Sequence, residues 1–289
     1  MRFIAYRDAH GAGIGIQADG STEYRGLNES APRYPGTLHS LIVAGHGALA
    51  AAYAILRDAP VLNEAAIHFL PPLPTPPKII CVGLNYADHS AEAGFKQPDY
   101  PTLFGRFASS LIGHKAPMIR PRLSEQLDYE GEIVAVIGRG GKNIAKAHAL
   151  DHVAGYSVFN EGSIRDYQFK APQWTMGKNF DGTGAFGPAF VTADALPRGA
   201  KGLHLQTRLN GQVVQSASTD TMVFDVETLI TVISEAITLE PGDVIVTGTP
   251  SGVGLARKPP LWMKAGDVCE VEAEGIGLLI NPIKDEVPA

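Results

Sequence analysis

The chain has 289 residues, 45% hydrophobic and 19% charged, a balance that excludes a disordered or collagen-like polypeptide. Its 24 Lys and Arg stand against 30 Asp and Glu, a net charge of −6, and the basic residues are scattered. No basic stripe exists to neutralise phosphates, so nucleic acid is excluded as an expected partner.

The N-terminus, MRFIAYRDAHGAG, lacks the apolar stretch and small-residue cleavage site of a signal peptide, and the apolar run 41–55 is broken by His46. Neither a leader nor a membrane span is expected. Strand-like RFIAYRD and GIGIQAD flank a glycine-rich turn, and an Ala-rich helical stretch follows from about Ser40. The stiff segment PPLPTPP at 71–77 divides the chain into a small N-terminal α/β domain, 1–70, and a larger body, 71–289. In the body, short β-rich runs dominate: KIICVGL, GEIVAVIG, VAGYSVFN, LHLQTRLNG, DVIVTGTP and DVCEVEAEGIGLLI. Two segments read as helices. One is NYADHSAEAGF; the other is DVETLITVISEAIT, where Val226, Leu229, Ile230, Ile233 and Ile237 recur at the spacing of one buried face. The fold class is α+β, mainly β. Cys81 and Cys269 lie in apolar strand-like runs, which predicts buried free thiols and suits a reducing cytoplasm.

Glu130 and Glu132 stand two apart at the start of a strand, so both carboxylates point to one side. On a solvated face that spacing means nothing. Converging with Glu161, an acidic residue at the end of an apolar strand, it makes a hard oxygen site suited to Mg²⁺ or Mn²⁺. The histidines lack zinc-ligand spacing, and GRGGKN at 138–143 lacks the full phosphate-loop pattern. His89 and Glu92, three apart on a helix, share a face; the pair is either a surface contact or a histidine base oriented by a carboxylate.

Motifs spanning residues 73–283 resemble the fumarylacetoacetate hydrolase family: KIICVGLNYADHSAE, PTLFGR, DYEGEIVAVIG, GYSVFNEGSIRDYQ, WTMGKNFDGTGAFGP, LNGQVVQ, VIVTGTPSGVG and LWMKAGDVCEVEAEGIGLLINPI. The resemblance implies a mixed β-sandwich or β-roll catalytic domain, a homodimer, and Mg²⁺ or Mn²⁺ held by Glu130, Glu132 and Glu161. It also implies a lid bearing the dyad His89 and Glu92, and a lysine, Lys178, that stabilises an enolate or alkoxide. Gln168 and Thr249 are candidate hydrogen-bonding partners of the substrate. Arg106, where relatives often carry Lys, either grips a distal carboxylate or makes a structural ion pair. Two departures stand out: Glu161 where the family commonly has Asp, and the small residues of DGTGAFGP where relatives carry a bulkier D-T-F-x-P-x-G-P run.

The activity expected from this resemblance is metal-dependent hydrolysis of a C–C bond in an acylpyruvate-like or fumarylpyruvate-like 2,4-dioxo acid. Water activated by His89 and Glu92 would attack the 4-carbonyl. An oxaloacetate-type decarboxylase, or an isomerase or hydratase of an unsaturated 2-oxo acid in aromatic or sugar-acid catabolism, shares the same enolate chemistry. A non-catalytic metal-stabilised binding protein is the alternative of a different class.

Overall fold

The computed structural model describes residues 1–18, 20–92 and 97–287, without the side chains of 89–91. The architecture is mixed α and β, mainly β. Its centre is an eleven-stranded sheet whose main path runs Tyr24–Asn28, Gly11–Gln17, Arg2–Asp8, Gly184–Thr192, Val153–Glu161, Gly131–Ile137, Val244–Val246, Ile79–Gly83, Thr102–Gly105. Neighbours on this path are antiparallel except Val244–Val246 with Ile79–Gly83, which are parallel. A five-stranded sheet, Gln212–Ser218, His204–Leu209, Val268–Ala273, Gly277–Asp285 and Met118–Arg120, packs against it.

The central strand Gly131–Ile137 is buried along its whole length, which is why GEIVAVI reads as a continuous apolar run rather than an alternating one. Ile133, Ala135 and Ile137 share a core with Leu205, Val271 and Leu279 of the five-stranded sheet. Val134 and Val136 face the opposite way, into a core with Leu41, Ile42, Leu49 and Leu56 of the N-terminal helices. Residues 1–70 therefore add strands and a helical layer to this same sheet: Phe3 pairs with Phe190 across the antiparallel contact, and Phe3, Ile14 and Ile16 pack with Phe159 and Phe186.

Local chemistry sets the element ends. The helical stretch after Ser40 is two helices, Leu38–Ala44 and His46–Arg57, parted at Gly45, whose φ of 93° and ψ of 177° suit a residue without Cβ. Asp225 caps the helix Val226–Ala236 by accepting from the Thr228 N–H at 3.0 Å. Val226, Leu229, Ile230 and Ile233 are buried as the spacing predicts, but Ile237 is not. It follows the last helical residue with an extended backbone and is 38% exposed, because the helix has already ended. Both cysteines are buried free thiols. No described helix is long and apolar enough to cross a membrane.

Candidate metal centre

The three glutamates meet where the two central strands begin and end. Glu130 precedes Gly131–Ile137, Glu161 closes Val153–Glu161, and the antiparallel register sets them side by side: the Glu161 N–H donates to the Glu130 carbonyl at 2.8 Å. One oxygen from each of Glu130, Glu132 and Glu161 lies within 4.8 Å of the others, and all three residues are buried. Burial, then Glu161 and Glu130, holds the Glu132 carboxyl well above the usual range.

Cations answer this charge. Lys178, at the end of the short helix Thr175–Lys178, pairs with Glu130 and, at 2.9 Å, with Glu161. Burial alone would pull its ammonium down, but Glu130 and Glu161 outweigh that and hold it above the usual value. Arg165 reaches Glu130 Oε1 at 2.6 Å and Asp128 Oδ2 at 2.8 Å, and donates through Nη1 to Gln168 Oε1 at 2.8 Å. Asp128 also accepts the backbone N–H groups of Gly254 and Leu255 at 2.7 and 2.9 Å, which ties the turn after Thr249 to the same network. Ser163 donates to Glu130, and the Gly248 N–H donates to Glu132.

The donor set is all oxygen, and the Oε1 of Glu161 is buried without a hydrogen-bond donor. Four buried carboxylates, Asp128, Glu130, Glu132 and Glu161, face three buried cations, Arg106, Arg165 and Lys178. Such a site fits a hard divalent cation, with Glu130, Glu132 and Glu161 to hold it.

A cavity opens on the triad, and its walls include Lys178, Gln168 and Thr249. Gln168 is oriented by Arg165, which occupies its carbonyl and leaves the amino end of the amide to face elsewhere. The Thr249 hydroxyl donates to the Gly131 carbonyl at 3.0 Å and accepts from Gln215 at 2.8 Å, so it is already engaged. Arg106 is not among the cavity-lining residues; it lies fully buried behind Glu161. Glu92 is exposed at the end of the helix Ala87–Glu92 and accepts the Gly252 N–H with both oxygens at 2.9 Å. The side chain of His89 lies outside the described residues.

Sequence reasoning passed over Arg165 and Asp128, although both stand inside quoted motifs, and gave Trp174 no part in the site. Trp174 does meet Phe104 edge to face at 5.5 Å, and it also forms part of the cavity wall with Phe169, Leu84, Val253 and Leu255.

Three comparisons bear on this geometry. The mitochondrial oxaloacetate tautomerase fahd2 of Xenopus laevis is 40% identical over 288 residues, covering 98% of this chain and 90% of that protein. The fumarylacetoacetate hydrolase of Exiguobacterium antarcticum superposes with a TM-score of 0.86 at 38% identity, covering 99% of this chain and 100% of the other. Maleylpyruvate hydrolase from Sphingobium sp. SYK-6, solved with manganese(II) and pyruvate, gives a TM-score of 0.80 at 25% identity over 99% and 100% of the two chains. The cytoplasmic location expected from the cysteines is corrected by the first of these, since that relative, like its human counterpart, is a mitochondrial protein. Two buried thiols report burial and not a compartment. The family model described as fumarylacetoacetate (FAA) hydrolase, C-terminal, matches residues 78–284, and with the triad built as that resemblance implies, this chain belongs to the fumarylacetoacetate hydrolase family.

Proposed function

We propose that this chain is a divalent-cation-dependent isomerase of small 2-oxo acids, catalysing keto–enol exchange in an oxaloacetate-type substrate. The observation that carries the reading is the placement of Lys178: a buried ammonium on the cavity wall, paired with two of the three glutamates. Keto–enol exchange moves one proton between C3 and the 2-oxygen and breaks no bond between heavy atoms. A fixed, desolvated ammonium beside that oxygen stabilises the enolate through which the exchange passes in either direction, and it can hold a proton for that oxygen. The bound cation, Mg²⁺ or Mn²⁺, would act as a Lewis acid on the 2-oxo acid. Gln168, with its carbonyl held by Arg165, would offer an amide N–H to a substrate oxygen.

The tautomerase relative, alike over nearly the whole chain, supports this reading over C–C hydrolysis. So does Glu92, whose carboxylate is engaged by the Gly252 N–H rather than lining the cavity with the triad. The test follows the ultraviolet absorbance of enol oxaloacetate with Mg²⁺ or Mn²⁺ present, beside assays for pyruvate release from acetylpyruvate, fumarylpyruvate and oxaloacetate. Faster keto–enol exchange, lost on chelation, is expected. Pyruvate release from the acylpyruvates without accelerated exchange would make the protein a hydrolase and refute the proposal.

A further inference from the structure

Arg106 has a setting too specific for an ordinary buried ion pair. Its guanidinium is fully buried, with Nε donating to Ser110 Oγ at 2.9 Å and Nη2 to Thr183 Oγ1 at 2.6 Å. Both terminal nitrogens also approach the carbonyl of Gly162, the residue after Glu161, at 3.4 and 3.5 Å. The remaining direction of Nη1 faces Glu161 Oε1 at 3.7 Å, too far for a hydrogen bond and near enough for strong attraction in a dry interior. That oxygen is the one without a donor.

The slot that holds the guanidinium is made by a missing side chain. Across the sheet, Glu161 is in register with Gly184, and a Cβ on Gly184 would stand 2.7 Å from Arg106 Nε and 3.1 Å from its Cζ. The other side is the Phe159 ring, whose centroid lies 5.6 Å from the guanidinium carbon.

We propose that Arg106 is a positioning residue for the cation site: from the same face of the sheet, beside the Phe159 ring, it fixes the carboxylate of Glu161 by charge while leaving Oε1 free to ligate. This inference rests on the reading of the three glutamates as a metal centre. The planar fork is essential to it, because a lysine's point charge cannot bridge Ser110, Thr183 and the Gly162 carbonyl at once. It also accounts for a glutamate in the third ligand position, whose longer arm needs a fixed anchor.

The test measures Mn²⁺ binding, with Mn²⁺ alone, by isothermal titration calorimetry and by electron paramagnetic resonance on the full chain. Arg106→Gln, Arg106→Lys and Gly184→Ala are compared with wild type, each first checked for a cooperative thermal melt. About 10-fold to 100-fold weaker Mn²⁺ binding is expected for Arg106→Gln. Arg106→Lys, which keeps the charge and loses the fork, should fall between Arg106→Gln and wild type. Gly184→Ala keeps both partners and displaces the guanidinium, so it should weaken binding too. If wild type binds Mn²⁺ and folded Arg106→Gln binds it equally well, the positioning role is wrong while the metal centre stands. Loss of pyruvate binding with unchanged Mn²⁺ affinity would instead place Arg106 on the substrate. Failure of wild type to bind Mn²⁺ would overturn both.

Discussion

Arg165 donates to the carbonyl oxygen of Gln168 at 2.8 Å while the same guanidinium contacts Glu130 at 2.6 Å. One planar cation thus orients an amide on the cavity wall and a carboxylate of the triad. Asp128, beneath it, extends the constraint to Gly254 and Leu255.

Arg165→Lys should therefore damage stability and site together. A lysine keeps the charge but cannot span Asp128, Glu130 and Gln168 at once, and each hydrogen bond lost to a buried charged group costs about 1.5–3 kcal/mol. Urea denaturation of the metal-free protein measures that loss. Mn²⁺ affinity should drop about 10-fold to 100-fold in parallel. Unchanged values in both experiments would show that the network is idle.

Lys178→Met separates catalysis from metal holding. The ammonium sits on two of the carboxylates, so its removal takes away a competing cation. Turnover should fall about 100-fold to 1,000-fold, as when a preorganised charge is lost from an active site. Mn²⁺ affinity should be no weaker than in wild type. Parallel loss of both would make Lys178 part of the metal site's support.

His114 gives the fold a pH dependence of known sign. Burial, then Lys115, pulls its pKa from 6.5 down to about 4, and its Nδ1 accepts the Ile280 N–H at 3.1 Å, which requires a neutral ring. The unfolded chain binds this proton more readily, so stability is undiminished above pH 6.5 and falls as pH drops towards 4. The penalty approaches about 3 kcal/mol when complete. His114→Gln, which keeps an acceptor for Ile280, should flatten the fall in denaturation midpoint across that window. An equally steep decline in the variant would assign it to other groups.

The helix Val226–Ala236 allows a contrast within one motif. Ile233→Ala should cost about 2–5 kcal/mol by leaving a cavity beneath the helix. Ile237→Ala, at a 38% exposed position past the helix end, should stay within about 0.5 kcal/mol. Equilibrium unfolding of the two variants makes the comparison.

Much of this was legible in order along the chain. Period-two spacing put Glu130 and Glu132 on one side of a strand, and an acid ending an apolar run marked Glu161, because such signals depend only on local geometry. What stayed hidden depends on contacts between distant segments. Arg106 stands 55 residues before Glu161, and only the sheet register with Gly184 reveals it behind that ligand. Asp128 and Arg165 become partners through the short ladder of Leu127–Asp128 with Ser163–Ile164. The Ile237 side chain failed the helical pattern because periodicity does not show where a helix stops. Glycines such as Gly45 were legible as breakers in principle, but an Ala-rich run masked this one.

The central claim is that Glu130, Glu132 and Glu161 hold one dication. Crystals soaked in MnCl₂ and measured at the manganese absorption edge test it directly. The account predicts one anomalous peak among the three carboxylates, abolished in Glu132→Gln crystals. Manganese absent from the triad, or bound there undiminished in the variant, would contradict it.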